Sequence, residues 1–170
     1  SDNDTACFII DKIYKKKNSS YLRLERGKYP SYKINNLDLQ YGFRKFGKSK
    51  DNIIITYGNN LHRILSICSQ NFSKKKIMIM DLFKSNPINK AQLYKEIRKF
   101  KNCIVIEEQI STGGISKEIS EIIALNKLNI NYKILSLDND DIYTVGQRKY
   151  IHDHSNISSD KIIKIIKKIF

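Results

Sequence analysis

The sequence predicts an α/β fold: a mostly parallel sheet covered on both faces by helices. Two observations carry this expectation. From residue 52 onward, short continuous apolar runs recur at 52–58, 75–82, 103–108 and 131–137, the pattern of strands buried on both faces. Between and after them lie segments with apolar residues at helical spacing, and strands alternating with helices build parallel sheets.

Each element has its own justification. Residues 4–17 read as an amphipathic helix, with Phe8, Ile9, Ile13 and Tyr14 on neighbouring faces. Its basic residues come late, where the helix dipole favours them. In "SSYLRLERG", Leu22 and Leu24 alternate with Arg23 and Glu25, which predicts a short strand ending at Gly27. Residues 28–51 carry turn residues and no sustained period, and read as a connecting segment that is partly strand-like. The apolar run at 52–58 is a strand ending in Gly58, and 59–72 is a helix through Leu61, Ile64, Leu65 and Cys68. Strands at 75–82, 103–108 and 131–137 then alternate with helices at 89–100, 113–128 and 158–170, the last capped by Ser158 or Ser159. No internal repeat or low-complexity linker interrupts the series.

A chain of 170 residues is one domain, or one domain with an appendage. Apolar residues make up 41%, and no run approaches the roughly 18 needed to span a membrane. The opening "SDNDTACFII" has neither the basic start nor the apolar stretch of a secretory signal. It begins on Ser1, so a processed or excised chain is expected. Cys7, Cys68 and Cys103 are odd in number, widely spaced and flanked by apolar residues. They read as buried, reduced thiols in a cytoplasmic compartment.

The formal charge is +14, and such an excess attracts anions. The lysine runs at 15–17, 74–76 and 161–168 fall on separate elements rather than in one arm. This favours a solvated basic surface. The alternative is a basic α/β binding module for nucleic acid or an acidic protein partner.

The adjacent carboxylates Glu107 and Glu108 end a strand, so they point to opposite faces and cannot grip one substrate together. One is expected inside the domain and the other toward solvent or a partner. "STGG" before a helix offers backbone N–H groups to an anion, but it matches neither the dinucleotide nor the P-loop signature. Gly113 and Gly114 are better explained by a tight turn and a close strand–helix approach. His152-Asp153-His154 supplies too few ligands for zinc and reads as a loop. His62, in a predicted helix, reads as a packed or surface histidine. No nucleophile motif is present. A stand-alone enzyme built on Glu107, Glu108 and the glycine turn is the weakest reading.

In their order, these pieces resemble the C-terminal part of the transketolase family, which includes transketolases, deoxyxylulose-phosphate synthases and the β subunits of 2-oxoacid dehydrogenases. "NIIITYGNNLHRIL" looks like the strand, Gly58 and helix that open the family's C-terminal domain. "IMIMDLFKSNPINKAQL" places Asp81, Leu82 and Pro87 on the next strand and its bend. "CIVIEEQISTGGISKEISEII" matches the block that holds Glu107, Glu108, Gly113 and Gly114, which makes them scaffold rather than catalytic machinery. Upstream, "YLRLERGKYP" resembles the close of a pyrimidine-binding domain through Arg23, Arg26, Gly27 and Pro30.

The resemblance implies a five-stranded mixed sheet in a three-layer α/β/α domain, with an antiparallel edge strand expected within 39–46. It divides the chain into the tail of a pyrimidine-binding domain with linker, 1–40, and a transketolase-type C-terminal domain, 41–170. It further implies that the complete enzyme, a homodimer or heterotetramer, binds thiamine diphosphate and Mg on an N-terminal diphosphate-binding and pyrimidine segment or subunit. Neither the family's metal motif nor its cofactor-activating Glu is found here, so the chain alone is expected to be inactive. One functional position carries over: Arg26 matches an Arg that holds the substrate phosphate in sugar-phosphate-using members.

Overall fold

The coordinates are a computed structural model that describes residues 1–16, 18–27, 29–32 and 40–170. Helix α1 (Asn3–Tyr14) opens the chain, followed by strand β1 (Arg44–Phe46). Then come β2 (Asn52–Thr56), α2 (Asn60–Asn71), β3 (Met78–Asp81), α3 (Lys90–Ile97) and β4 (Asn102–Ile110). Helix α4 (Ile115–Leu125), β5 (Asn131–Leu137), a 3-10 turn (Asn139–Tyr143), α5 (Arg148–His154) and α6 (Ser159–Ile169) complete it.

The five strands lie in the order β1-β3-β2-β4-β5. The pairs β2–β3, β2–β4 and β4–β5 are parallel, and β1 runs antiparallel to β3 with Arg44 opposite Asp81. The mixed five-stranded sheet is therefore as expected, and its edge strand falls inside 39–46, confined to the three residues of β1.

Successive side chains on a strand face opposite sides, and this divides the core in two. Ile53, Ile55, Met80, Cys103 and Val105 point to the face covered by α3 and α4, packing on Leu93, Ile97, Ile115, Ile119 and Ile122. Ile54, Ile79, Ile104 and Ile106 point to the other face and meet Leu61, Ile64 and Ile67 of α2 and Ile162 and Ile166 of α6. The spacing within each helix is the three-to-four-residue repeat that keeps one stripe inward. Full burial of each such Ile or Leu contributes about 1.5–3 kcal/mol, so the layers are held by this apolar interleaving.

Three expectations need correction. The strand predicted across 19–27 does not form: residues 19–25 have no regular structure and Arg26 and Gly27 lie in a bend. Leu24 is 60% exposed and Tyr21 91%; period-two alternation makes a strand only where a sheet edge is there to pair with. The 152–154 stretch is helical, the last turn of α5, rather than a loop. Cys7 is exposed on α1, while Cys103 is buried and Cys68 partly so. Two smaller differences concern helix ends. Asp2 caps α1 by accepting from the Thr5 amide at 2.9 Å, and α6 starts after Ser158 without a side-chain cap.

Candidate functional site

Parallel strands bring their carboxyl ends to one edge of the sheet, where loops converge and sites form. Here β2 and β3 end in Thr56 and Asp81, and β4 carries the Glu107–Glu108 pair near its carboxyl end. Thr56 Oγ1 donates to the Ile106 carbonyl at 2.8 Å, and the Leu82 amide donates to the Thr56 carbonyl at 2.8 Å, so the three ends are laced together. Gly58 follows at φ +61, a left-handed conformation that glycine adopts without strain. Its amide donates to Ser1 Oγ at 3.2 Å, and that hydroxyl donates to Asp81 Oδ1.

Asp81 is also the anchor of a buried ion-pair cluster. Arg44, on β1, places Nε 2.9 Å from Asp81 Oδ2 and Nη1 3.0 Å from Asp2 Oδ2. The guanidinium lies 5.1 Å from the Phe46 ring centroid. Burial pushes the Asp81 carboxyl upward, opposed by the Ser1 hydroxyl and by Arg44. Burial works the same way on Asp2, but hydrogen bonds from Thr5 and Arg44 outweigh it and hold that carboxyl below its usual range. The N-terminal segment is thereby fastened to the carboxyl edge. His62 helps: its Nε2–H donates to the Ser1 carbonyl at 2.6 Å, leaving Nδ1 to accept from the Tyr32 hydroxyl at 3.2 Å. Its ring stacks on Tyr29 at 4.9 Å, so it is a packed histidine.

The two glutamates face opposite sides, as expected. Glu107 shares the face of Cys103 and Val105 and is fully buried against the start of α4. Neither of its oxygens makes a well-formed hydrogen bond among the described residues. Burial raises its carboxyl, tempered by the Ser116 hydroxyl and the Ile115 and Ser116 amides beside it. A Cβ on Gly114 would stand 1.9 Å from Glu107 Oε2, whereas one on Gly113 meets nothing within 4 Å. Close approach therefore explains Gly114 and not Gly113.

Glu108 turns to the α2 face and enters a charge cluster that sequence reasoning did not find. His152 Nε2–H donates to Glu108 Oε1, and Arg148 Nε lies 3.0 Å from the same oxygen. His152 Nδ1 accepts from Arg63 Nη1 at 2.7 Å. Burial works to raise the Glu108 carboxyl, but His152, Arg148 and Arg63 together hold it below the usual range. From the other end of its fork, Arg148 Nη2 reaches Glu25 Oε2 at 2.6 Å. Arg63 comes from α2, Glu108 from β4, Arg148 and His152 from α5, and Glu25 from the N-terminal segment. Spacing carries no signal for such a set; only the helical reading of 148–154 would have put Arg148 and His152 on one face, at i and i+4.

Arg26 is exposed on that same segment, and its carbonyl accepts from the Tyr29 hydroxyl at 3.1 Å. Glu25 is engaged by Arg148 and, more loosely at 3.9 Å, by Arg23. Pro87 lies exposed in the loop after β3. The carboxyl edge thus gathers Gly58, Asp81, Glu107, Glu108 and Gly114, and ties the segment carrying Arg26 to it. As to metal, no group of three His, Cys, Asp or Glu among the described residues could hold an ion. Among the described residues, no helix is long and apolar enough to cross a membrane.

Residues 44–162 match the family described as transketolase, C-terminal domain. Over 171 residues, 99% of this chain, the sequence is 24% identical to a 1-deoxy-D-xylulose-5-phosphate synthase from Francisella philomiragia, of which it covers 27%. It is 23% identical over 164 residues to one subunit of an apulose-4-phosphate transketolase from Actinobacillus succinogenes, covering 92% of this chain and 51% of that one. The chain therefore spans about a quarter and about half of these two relatives. Among solved structures, a split-gene transketolase in an inactive β4 tetramer superposes with a TM-score of 0.76. That likeness covers 95% of this chain and 53% of that one, at 16% identity.

Proposed function

The chain belongs to the transketolase C-terminal domain family, and we propose from this that it is the C-terminal portion of a thiamine-diphosphate-dependent transketolase-type enzyme acting on keto substrates. The observation that carries the reading is the family match across 44–162, with similarity to two such enzymes continuing through the N-terminal segment. In this reading, residues 1–40 are the tail of a pyrimidine-binding domain with its linker, and 41–170 are the C-terminal domain. Its work is to support dimer or heterotetramer assembly in the cytoplasm and to close one side of the substrate channel.

Thiamine diphosphate and Mg belong to the complementary segment or subunit. The described residues do not fit them: Asp81 is paired with Arg44, Glu108 with the Arg148 cluster, Glu107 is sealed inside the domain against the start of α4, and no metal-holding group is present among them. The cofactor would supply the electron sink for cleaving a bond beside a carbonyl, and no step of that chemistry rests on this chain. A split arrangement is supported by two likenesses: one relative is a single subunit of its transketolase, and the structural neighbour is a split-gene transketolase.

Arg26 is the residue proposed to meet the substrate phosphate. A guanidinium presents a planar fork of donors matched to phosphate oxygens, and the carboxylate beside it, Glu25, is engaged by Arg148 and Arg23. Purification of the native protein at moderate salt, followed by identification of what accompanies it, tests the whole reading. The expected companion is a chain, or a longer form of this one, that carries a diphosphate-binding domain and thiamine diphosphate. Recovery of the protein alone, or only with nucleic acid that leaves at high salt, would overturn it.

A further inference from the structure

Arg26 can serve a phosphate only if the strap that carries it stands still, and residues 19–27 have neither helix nor strand to stiffen them. The strap is fastened at Glu25, next to Arg26 in sequence, by the Arg148 Nη2 contact of 2.6 Å. Arg148 is itself fixed at its other end, since its Nε lies 3.0 Å from Glu108 Oε1. Glu108 is held in turn by His152, and His152 by Arg63 at 2.7 Å. The cluster therefore runs from the rigid sheet, through β4, α2 and α5, to one carboxylate of the strap. A planar guanidinium suits this place because its separated N–H groups bridge two carboxylates at once, which a lysine ammonium on its flexible stem does not do as well. The Arg148–Glu25 pair is partly exposed, with side chains 39% and 25% accessible, so it adds little to overall stability. Its consequence is local: it sets where the strap lies.

We infer that Arg148 is a positioning residue, which through Glu25 presets Arg26 for the phosphate group of the substrate. This rests on the phosphate reading of Arg26, and the experiment separates the two. In hydrogen exchange on this chain, Arg148→Gln and Glu25→Gln should each speed exchange of the amides at 21–27 while leaving those of β2 unchanged. Glu25→Gln lies on the exposed strap and guards against a folding defect from Arg148→Gln. In the assembled enzyme, the probes are a pair of aldehyde acceptors, glyceraldehyde phosphate and glyceraldehyde, which differ only in the phosphate. Both variants should raise KM for the phosphorylated acceptor about tenfold, with kcat within about twofold and the unphosphorylated acceptor unaffected. The double variant should be no worse than either single one, because both break the same contact. Arg148→Lys should recover part of the loss. If Arg26→Gln raises that KM and Glu25→Gln does not, the positioning role is overturned while the phosphate reading survives. If Arg26→Gln has no phosphate-selective effect, the phosphate reading fails and this role falls with it, whatever the exchange data show. Equal effects on both acceptors would mark the contact as merely structural and also overturn the role.

Discussion

At the Glu107 carboxyl, burial without a well-formed hydrogen bond favours the protonated form. An unfolded Glu ionises near about 4.3, and the folded value lies above this. Its contribution to stability is therefore complete below the unfolded value and is lost as pH rises through the folded one. Glu107→Gln keeps the shape and removes the ionisation. As pH rises above the unfolded value, the melting temperature of the variant should fall less than that of wild type. An equal fall in both would assign the slope to another raised carboxyl, with Asp81 the first candidate. Glu108, one residue on, is held down instead of up, because the opposite face supplies a histidine and two arginines. Arg44 sets a second residue-scale expectation. It is 5% exposed and faces two buried carboxylates. Arg44→Met should cost about 3–5 kcal/mol in denaturant unfolding, since it leaves buried charge unpaired. Lys90→Met, which breaks only exposed contacts to Glu118 and Glu121, should leave the midpoint unchanged. If both variants lose the same amount, the buried cluster is no more important than a surface pair.

The start of α4 shows why two neighbouring glycines are not equivalent. Gly114 has Glu107 Oε2 where its Cβ would go, and Glu107 is sealed by the core and cannot swing away. Gly114→Ala should therefore destabilise by about 1–3 kcal/mol, the usual cost of overpacking. Gly113→Ala meets open space at an ordinary φ and should stay within about 0.5 kcal/mol of wild type. Equal losses in thermal or denaturant unfolding would show that the turn, not the contact, needs both glycines. Elements of this kind were legible wherever the signal was local. The runs at 52–58, 75–82, 103–108 and 131–137 are apolar because the strands are covered on both faces, and each became a strand. The alternation at Leu22 and Leu24 misled because pairing depends on an edge elsewhere in the fold. Helix α5 was missed because its seven residues are too few for a helical period to stand out, and with it went Arg148 and His152.

For the whole molecule, the order of motifs sufficed to recognise the family, because that order follows from how strands and helices alternate along the chain. The clusters at the carboxyl edge were beyond reach, since Arg44 meets Asp2 and Asp81, and Arg148 meets Glu25 and Glu108, only after folding. The charge of +14 raises the remaining question at this scale: whether the basic surface is itself the function. Ionic strength separates the two cases. A partner held through phosphate contacts releases counterions on binding, so its affinity falls steeply as salt rises. A subunit interface that excludes water through packed surface is weakened far less, because only exposed charge pairs are screened. In a salt series on the native assembly, any nucleic acid should be shed while a thiamine-diphosphate-binding companion stays through moderate salt. Recombining this chain with that companion should then restore cofactor-dependent turnover that neither shows alone. Loss of every companion at the same salt as nucleic acid would make the basic surface the binding determinant, and the chain would then be a binding module that has kept the fold of its family.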